Sequence, residues 1–128
     1  MNTVAKKILI VEDDQMLLDT LSELFTSEGF DVIKASDGKQ GLEVALANHP
    51  DIMLLDVLMP VMDGMTVMKN LRQDAWGKKV PVIVLTNLNP NDEALEAIVR
   101  DQPAYYLIKS NIKIDEMLAK VREVLGMK

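Results

Sequence analysis

The stretch Asp51-Ile-Met-Leu-Leu-Asp-Val-Leu-Met-Pro-Val-Met-Asp-Gly64 is an apolar run that ends on an acid. The large apolar residues 52–55 precede Asp56, and a proline and an Asp-Gly pair then break the pattern. Such a run is typical of a short strand buried on both faces of a parallel sheet. A carboxylate inside that strand would be costly to desolvate, so we place Asp56 at its carboxyl end, facing a crevice. Taken alone, Asp56 could equally cap a turn.

Composition limits the class of protein before other motifs are considered. The chain has 128 residues, of which 48% are hydrophobic and 27% charged, as in a globular domain. The absence of cysteine excludes disulfides and thiolate metal sites, and a net charge of -6 argues against direct nucleic-acid binding. No apolar run approaches the ~20 residues of a membrane helix, and no signal-peptide pattern is present. We expect a single cytoplasmic domain over residues 1–128, without membrane association.

Apolar strand patterns alternate with amphipathic helix patterns along the chain. Strands are predicted at residues 8–11, 31–35, 51–56, 80–85 and 105–108. The apolar positions of the helices that follow them lie within 17–25, 42–46, 67–71, 95–99 and 114–125. Five strand–helix units predict an α/β fold in which helices cover both faces of a parallel sheet. The second strand is the least apolar, which suits an edge and favours a three-layer (βα)5 sandwich of strand order 2-1-3-4-5.

Local signals mark several helix ends and loops. Asp37 and Gln40 have the spacing of a capping box, and Gly29 is placed to end the first helix. His49, the sole histidine, is predicted to be a surface loop residue. Trp76, the sole tryptophan, is predicted to pack over a helix end rather than to bind a ligand.

Ionisable and hydroxyl side chains follow four of the predicted strands. Glu12 and Asp13 come after the first strand, Asp56 ends the third, and Thr86 and Lys109 follow the fourth and fifth. Parallel strands end at one edge of the sheet, and the order 2-1-3 makes the first and third strands neighbours. Three carboxylates gathered there repel one another unless a cation intervenes. Oxygen ligands without histidine or cysteine indicate Mg²⁺, or alternatively Mn²⁺.

These residue types suit phosphoryl transfer. A metal ion and Lys109 would neutralise charge on the transferred group, and the Thr86 hydroxyl would donate a hydrogen bond to one of its oxygens. Asp56 would be the nucleophile and would form an aspartyl phosphate. An ionised carboxylate needs no general base, so the sequence predicts a phosphoryl acceptor.

Over essentially its whole length the chain resembles the response-regulator receiver domain, the CheY-like family of two-component signalling. The resemblance rests on four segments in the right order, which are Val-Glu-Asp-Asp at 11–14, Leu-Asp-Val-Leu-Met-Pro at 55–60 with Asp-Gly at 63–64, Pro-Val-Ile-Val-Leu-Thr at 81–86 and Tyr-Leu-Ile-Lys at 106–109. It implies a flavodoxin-like fold and a signalling domain that assists its own phosphorylation and dephosphorylation without being a conventional enzyme.

The resemblance also implies roles at the site. Glu12, Asp13 and Asp56 would hold the metal ion, with the backbone carbonyl of Leu58 as a further ligand. Asp56 would accept phosphate from the phosphohistidine of a sensor histidine kinase or phosphotransfer protein, and Lys109 would contact the phosphoryl group.

A switch and an output surface are implied as well. Thr86 and Tyr106 would form a switch pair that changes the surface of the predicted fourth helix, the fifth strand and the last helix. A downstream protein, or an output domain outside this sequence, would read that surface. A homodimer could form through the same surface.

Three departures from the family pattern stand out. Ser110 replaces the usual proline after the lysine, and Gln102-Pro103 replaces the usual Gly-Ala before the last strand. Leu58 and Leu88 occupy positions that often carry polar side chains orienting a hydrolytic water, so we expect them to slow dephosphorylation.

Three rival functions share parts of this sequence pattern. A nucleotide- or flavin-binding protein would need a glycine-rich turn after the first strand, where Glu12 and Asp13 would repel phosphates. A haloacid-dehalogenase-type phosphatase would need a second Asp at the position of Leu58. The third rival is a phosphorylation-independent interaction module on the receiver scaffold, which the presence of every acceptor-site residue disfavours.

Overall fold

A five-stranded parallel sheet of order 2-1-3-4-5 organises the chain. The computed structural model describes residues 5–57, 59, 61–86, 105–109 and 113–127, apart from the side chains of Thr86 and Tyr106. Its strands are β1 (Lys7–Val11), β2 (Asp31–Ala35), β3 (Ile52–Asp56), β4 (Val82–Thr86) and β5 (Tyr105–Ile108). The predicted flavodoxin-like fold and its strand order are confirmed.

Four helices lie within the described residues. They are α1 (Gln15–Ser27), α2 (Gly38–Asn48), α3 (Gly64–Leu71) and the C-terminal helix (Ile114–Val124). The helix predicted around residues 95–99 lies outside the described residues. Within the described part of the chain, none of the helices is long and apolar enough to cross a membrane.

Both faces of the sheet are covered by apolar layers, because alternate residues of a strand point to opposite faces. In β1, Leu9 and Val11 belong to the cluster formed with α2 and α3. Ile8 and Ile10 belong to the cluster formed with α1 and the C-terminal helix. Every residue of β3 is buried, as its unbroken apolar run predicted. The strands are therefore continuously apolar because helices cover the sheet on both sides.

The edge position of β2 and the helix starts also follow the sequence. β2 is the strand that pairs on one side with β1 and exposes Asp31 and Lys34, as expected of an edge. Asp14 and Asp37 cap α1 and α2 by accepting hydrogen bonds from backbone N–H groups of the first turn. The side chain of Gln40 completes the box, although its Oε1 accepts from the N–H of Ser36 rather than from that of Asp37.

The predicted bounds of the fourth strand were wrong by one or two residues. β4 begins at Val82 and includes Thr86, whereas the sequence pattern placed it at 80–85. Pro81 has no N–H to donate and stands directly before the strand, where its carbonyl oxygen accepts from the N–H of Met53 at 3.1 Å. The exclusion of Pro81 explains the later start.

Two predicted core positions of helices are partly exposed. Leu46 of α2 and Ile114 of the C-terminal helix each expose 38% of their surface. Helical periodicity identifies the direction of the apolar face but not its width, which depends on the elements that cover it. Ala45, one position before Leu46, is fully buried as predicted.

A stacked pair of rings joins the end of α2 to the loop before β4. His49 caps the C-terminus of α2 in a left-handed conformation, with φ 48°, and its N–H donates to the carbonyl oxygen of Ala45. Its ring lies 4.5 Å from that of Trp76, centroid to centroid, at an interplanar angle of 10°. The loop is held by Asp74, whose carboxylate accepts from the N–H groups of Trp76 and Gly77. Trp76 therefore packs over a helix end and His49 is exposed, as predicted, and the sequence pattern gives no sign of the stack between them.

We expect this stack to contribute measurably to stability. In a double-mutant cycle of His49→Ala and Trp76→Ala, the coupling energy should be about 0.5–1 kcal/mol, the size found for well-placed aromatic pairs. Urea unfolding of the four proteins measures it. Effects that add to within about 0.2 kcal/mol would show that the rings contribute independently.

Candidate functional site

The site lies where β1 and β3, which are neighbours in the sheet, reach its carboxyl edge. Val11 pairs with Leu55, so Glu12 and Asp56 stand side by side at the point where strand order reverses. The N–H of Glu12 donates to the carbonyl oxygen of Ala35 at 3.0 Å, which continues the β1–β2 pairing by one residue. Glu12 is completely buried and Asp56 is 4% exposed. The fold therefore buries two carboxylates beside each other.

A third carboxylate completes an acidic cluster. One oxygen atom from each of Glu12, Asp13 and Asp56 lies within 4.8 Å of the others, and Asp13 is exposed to solvent. Hard oxygen ligands open to water on one side suit Mg²⁺, which retains several of its waters. The structure thus brings together the three acids that the sequence placed at this edge.

Lys109 bridges the two buried acids. Its Nζ donates to Oε1 and Oε2 of Glu12 at 2.8 and 3.1 Å and to Oδ2 of Asp56 at 3.3 Å. The side chain of Lys109 is 19% exposed, so its ammonium group is largely withdrawn from water. The sequence predicts that Lys109 lies near the acids. The two hydrogen bonds that it donates to Glu12 are evident only from the structure.

Burial and mutual repulsion change the acidity of these groups. Burial, followed by the negative charge of Glu12, raises the pKa of Asp56 to about 7, although Lys109 acts in the opposite direction. Burial lowers the pKa of Lys109, but its hydrogen bond to Glu12 and the charge of Asp56 outweigh burial and raise that pKa above its ordinary value. Lys109 therefore stays positively charged at neutral pH. A further cation beside Asp56 would favour the ionised form of its carboxyl group.

The chain turns tightly after Asp56. The N–H of Gly64 donates to the carbonyl oxygen of Val57 at 2.8 Å, and a Cβ atom at Gly64 would overlap the carbonyl oxygen of Asp56. Asp63 caps α3 by accepting from the N–H of Thr66. Within this loop Val61 is 75% exposed and adopts a left-handed conformation, with φ 70°, which is unusual for a β-branched residue. The Asp-Gly pair, which the sequence analysis identified as a chain break and as part of the family motif, packs directly behind Asp56 and starts α3.

The structure gives backbone positions for the two predicted switch residues. Thr86 ends β4, one residue beyond Leu85, the pairing partner of Asp56. Tyr106 lies in β5 and pairs with Val84. Their side chains are outside the described atoms, so the phosphoryl contact of Thr86 and the switch role of the pair stay predictions.

Other predicted features lie outside the described residues. These are the carbonyl ligand of Leu58, the side chain of Leu88, the Lys109–Ser110 bond and the Gln102-Pro103 loop. Their roles also stay predictions.

Comparison with known proteins gives the family. The sequence model described as "Response regulator receiver domain" matches residues 8–122. The DNA-binding dual master transcriptional regulator RpaA of Synechocystis is 34% identical over 119 residues, which cover 93% of this chain and 48% of RpaA. The chain belongs to the response regulator receiver domain family, whose members are signalling switches of two-component systems rather than conventional enzymes. It spans about half the length of RpaA.

Solved receiver structures share the fold closely. The chemotaxis response regulator CheY4 of Vibrio cholerae superposes with a TM-score of 0.86 at 26% identity, covering 94% of this chain and 99% of CheY4. The receiver domain of the sensor histidine kinase PA1611 from Pseudomonas aeruginosa has a TM-score of 0.85 at 28% identity, with 96% and 99% coverage. That structure contains a magnesium ion coordinated in its active-site cleft.

Replacement of Asp56 by Asn should stabilise the fold at high pH. The folded-state pKa of Asp56, about 7, lies above its ordinary value of 3.8, so this group stabilises the fold fully below pH 3.8 and loses that contribution as pH rises through about 7. Without divalent ions, the free energy of unfolding of Asp56→Asn should exceed that of the wild type by about 1–2 kcal/mol near pH 8, and the difference should be smaller near pH 5. Urea unfolding across this range measures the effect.

Mg²⁺ provides the control for this prediction. Because a bound cation stabilises the ionised carboxylate, adding it near neutral pH should narrow the gap between the two proteins. A difference in the free energy of unfolding that stays constant with pH and with Mg²⁺ would show that the ionised Asp56 carboxylate does not destabilise the fold.

Proposed function

We propose that this domain is a phosphoryl-accepting switch in which Asp56 takes a phosphoryl group from the phosphohistidine of a sensor histidine kinase or phosphotransfer protein. The observation that carries the proposal is the convergence of Glu12, Asp13 and Asp56 within 4.8 Å of one another, with the Lys109 ammonium group 3.3 Å from Asp56. We further propose that residues 1–128 act as one receiver domain. Membership of the receiver family supports both statements.

The acidic cluster would hold the metal ion. We assign Glu12, Asp13 and Asp56 as its side-chain ligands, with the backbone carbonyl of Leu58 as a further ligand, and Mg²⁺ or Mn²⁺ as the ion. The three carboxylates offer only hard oxygen atoms, which is the ligand chemistry that these ions prefer. When bound, the ion supplies positive charge that offsets the charge of the incoming phosphoryl group.

Asp56 then acts as the nucleophile. One carboxylate oxygen attacks phosphorus as the phosphorus–nitrogen bond of the donor breaks, and the electron pair of that bond returns to the imidazole. Lys109 already lies beside Asp56, so its ammonium group can stabilise the negative charge of the phosphoryl oxygens during the transfer. Thr86, at the end of the adjacent strand, would donate a hydrogen bond to one of these oxygens.

Phosphorylation would change the pairing of Lys109. Phosphorylation of the ionised Asp56 carboxylate leaves a phosphoryl group with a charge of about -2, and its oxygens compete with Glu12 for the same ammonium group. We propose that this competition, with a movement of Thr86 and Tyr106, alters the surface formed by the predicted fourth helix, β5 and the C-terminal helix. A downstream protein, an output domain outside these residues, or a second copy of the domain would read that surface.

A small phosphodonor tests the acceptor directly. With acetyl phosphate or phosphoramidate and Mg²⁺, intact mass should rise by about 80 Da, the mass of one phosphoryl group, and Asp56→Asn should show no increase. Asp14→Asn is a matched control, because it removes a neighbouring carboxylate while asparagine preserves the cap of α1. That variant should still be labelled.

Two results would contradict the assignment. An unlabelled wild type would favour a phosphorylation-independent interaction module on the same scaffold. Label that persists on Asp56→Asn would move the acceptor to another residue.

The phosphorylated form should be long-lived for this family. Leu58 and Leu88 offer no hydrogen bond to a hydrolytic water, so we expect phosphate loss over minutes or longer in the wild type. Leu58→Asn and Leu88→Asn should each shorten the lifetime, as measured by the decay of the phosphorylated mass. A wild-type half-life of seconds would contradict this prediction.

A further inference from the structure

The first residue of α2 lies against the loop that follows the acceptor. A Cβ atom at Gly38 would overlap the carbonyl oxygen of Met62, and it would lie 2.8 Å from the carbonyl carbon of Met62 and 3.0 Å from Cγ2 of Val67. Gly38 is buried, so no open space is available beside it. Because the main obstacle is backbone, no side-chain rotation can make room for even a methyl group.

The α2 side of this contact is fixed. Asp37 accepts from the N–H of Gln40 at 2.8 Å, and Gln40 Oε1 accepts from the N–H of Ser36 at the same distance. In the same turn Gly41 packs on β1, where a Cβ atom would lie 2.8 Å from both methyl groups of Val11. The helix start is therefore held by its cap and by the sheet, and the loop at Met62 is the partner that would move.

The other end of this loop is the acceptor strand. Gly64 is hydrogen-bonded to Val57 at 2.8 Å and packs on the carbonyl group of Asp56, so the loop is closed at its base. If Met62 moved, the backbone next to Asp56 would move with it, because the loop between them is short and closed.

We propose that Gly38 is a positioning residue for the metal and phosphoryl site. Its lack of a side chain lets the Met62 carbonyl rest against α2, and that contact holds the loop beside Asp56. The inference rests on the proposed function, because it concerns the geometry of the same site. Mg²⁺ demands nearly ideal octahedral geometry, and loss of the groups that hold metal ligands in place typically lowers metal affinity by about 10- to 100-fold.

A second glycine gives a matched control. A Cβ atom at Gly77 would overlap the carbonyl oxygen of Leu71 and lie 2.9 Å from its carbonyl carbon, nearly the same obstruction as at Gly38. Gly77 lies in the loop between α3 and β4, at the opposite edge of the sheet from the acids. Gly38→Ala and Gly77→Ala should therefore perturb the fold in a similar way but differ at the site.

The readouts are Mg²⁺ affinity by calorimetry and, by NMR, the backbone amide shifts of residues 56–59 and 61–64, because Pro60 has no N–H. Gly38→Ala should weaken Mg²⁺ binding by about 10-fold or more and shift these amides, whereas Gly77→Ala should change the Mg²⁺ affinity by less than about 2-fold. Equal Mg²⁺ affinities for the two variants would overturn the inference.

A milder pair covers the case in which Gly38→Ala does not fold. Asp37→Ala and Asp37→Asn remove the same charge, but only asparagine keeps the cap that holds Gly38 in place. Asp37→Ala should bind Mg²⁺ more weakly than Asp37→Asn, and equal affinities would again overturn the inference. A wild type that binds no Mg²⁺ and accepts no phosphate would instead contradict the proposed function.

Discussion

The burial of two adjacent carboxylates is the constraint on which this structure depends. Glu12 and Asp56 end neighbouring strands and are almost fully withdrawn from water. Such charges are strongly unfavourable unless a cation and hydrogen bonds accompany them. Lys109 provides one cation, and its contacts at 2.8 and 3.3 Å reach both acids. The sheet thus leaves two buried acids that a further cation would stabilise.

The surroundings of the acids are built to keep them in place. Glycines stand where backbone must approach backbone, at Gly64 below Asp56 and at Gly38 beside Met62. Asp14, Asp37 and Asp63 cap α1, α2 and α3, so the first turns of these three helices are each anchored by an aspartate. A rigid frame of this kind suits an ion that tolerates little distortion of its ligands.

The sequence predicts the fold and the acids for a physical reason. Unbroken apolar strands require helices on both faces, and parallel strands end together, so Glu12, Asp56 and Lys109 had to converge. The bidentate contact of Lys109 with Glu12 and the stack of His49 on Trp76 could not be predicted. They depend on side-chain reach between segments whose separation the sequence pattern does not specify. The partial exposure of Leu46 could not be predicted for a related reason, since helical periodicity does not give the width of a buried face.

The ion pair between Lys109 and Glu12 joins positions 97 residues apart in the chain. Loop closure over such a distance is an entropic cost that only cooperative formation of the whole sheet can offset. A growing or partly unfolded chain therefore has the same acids but not their arrangement. If the acids act as proposed, phosphoryl acceptance would require the completed fold, because a partly folded chain lacks their arrangement.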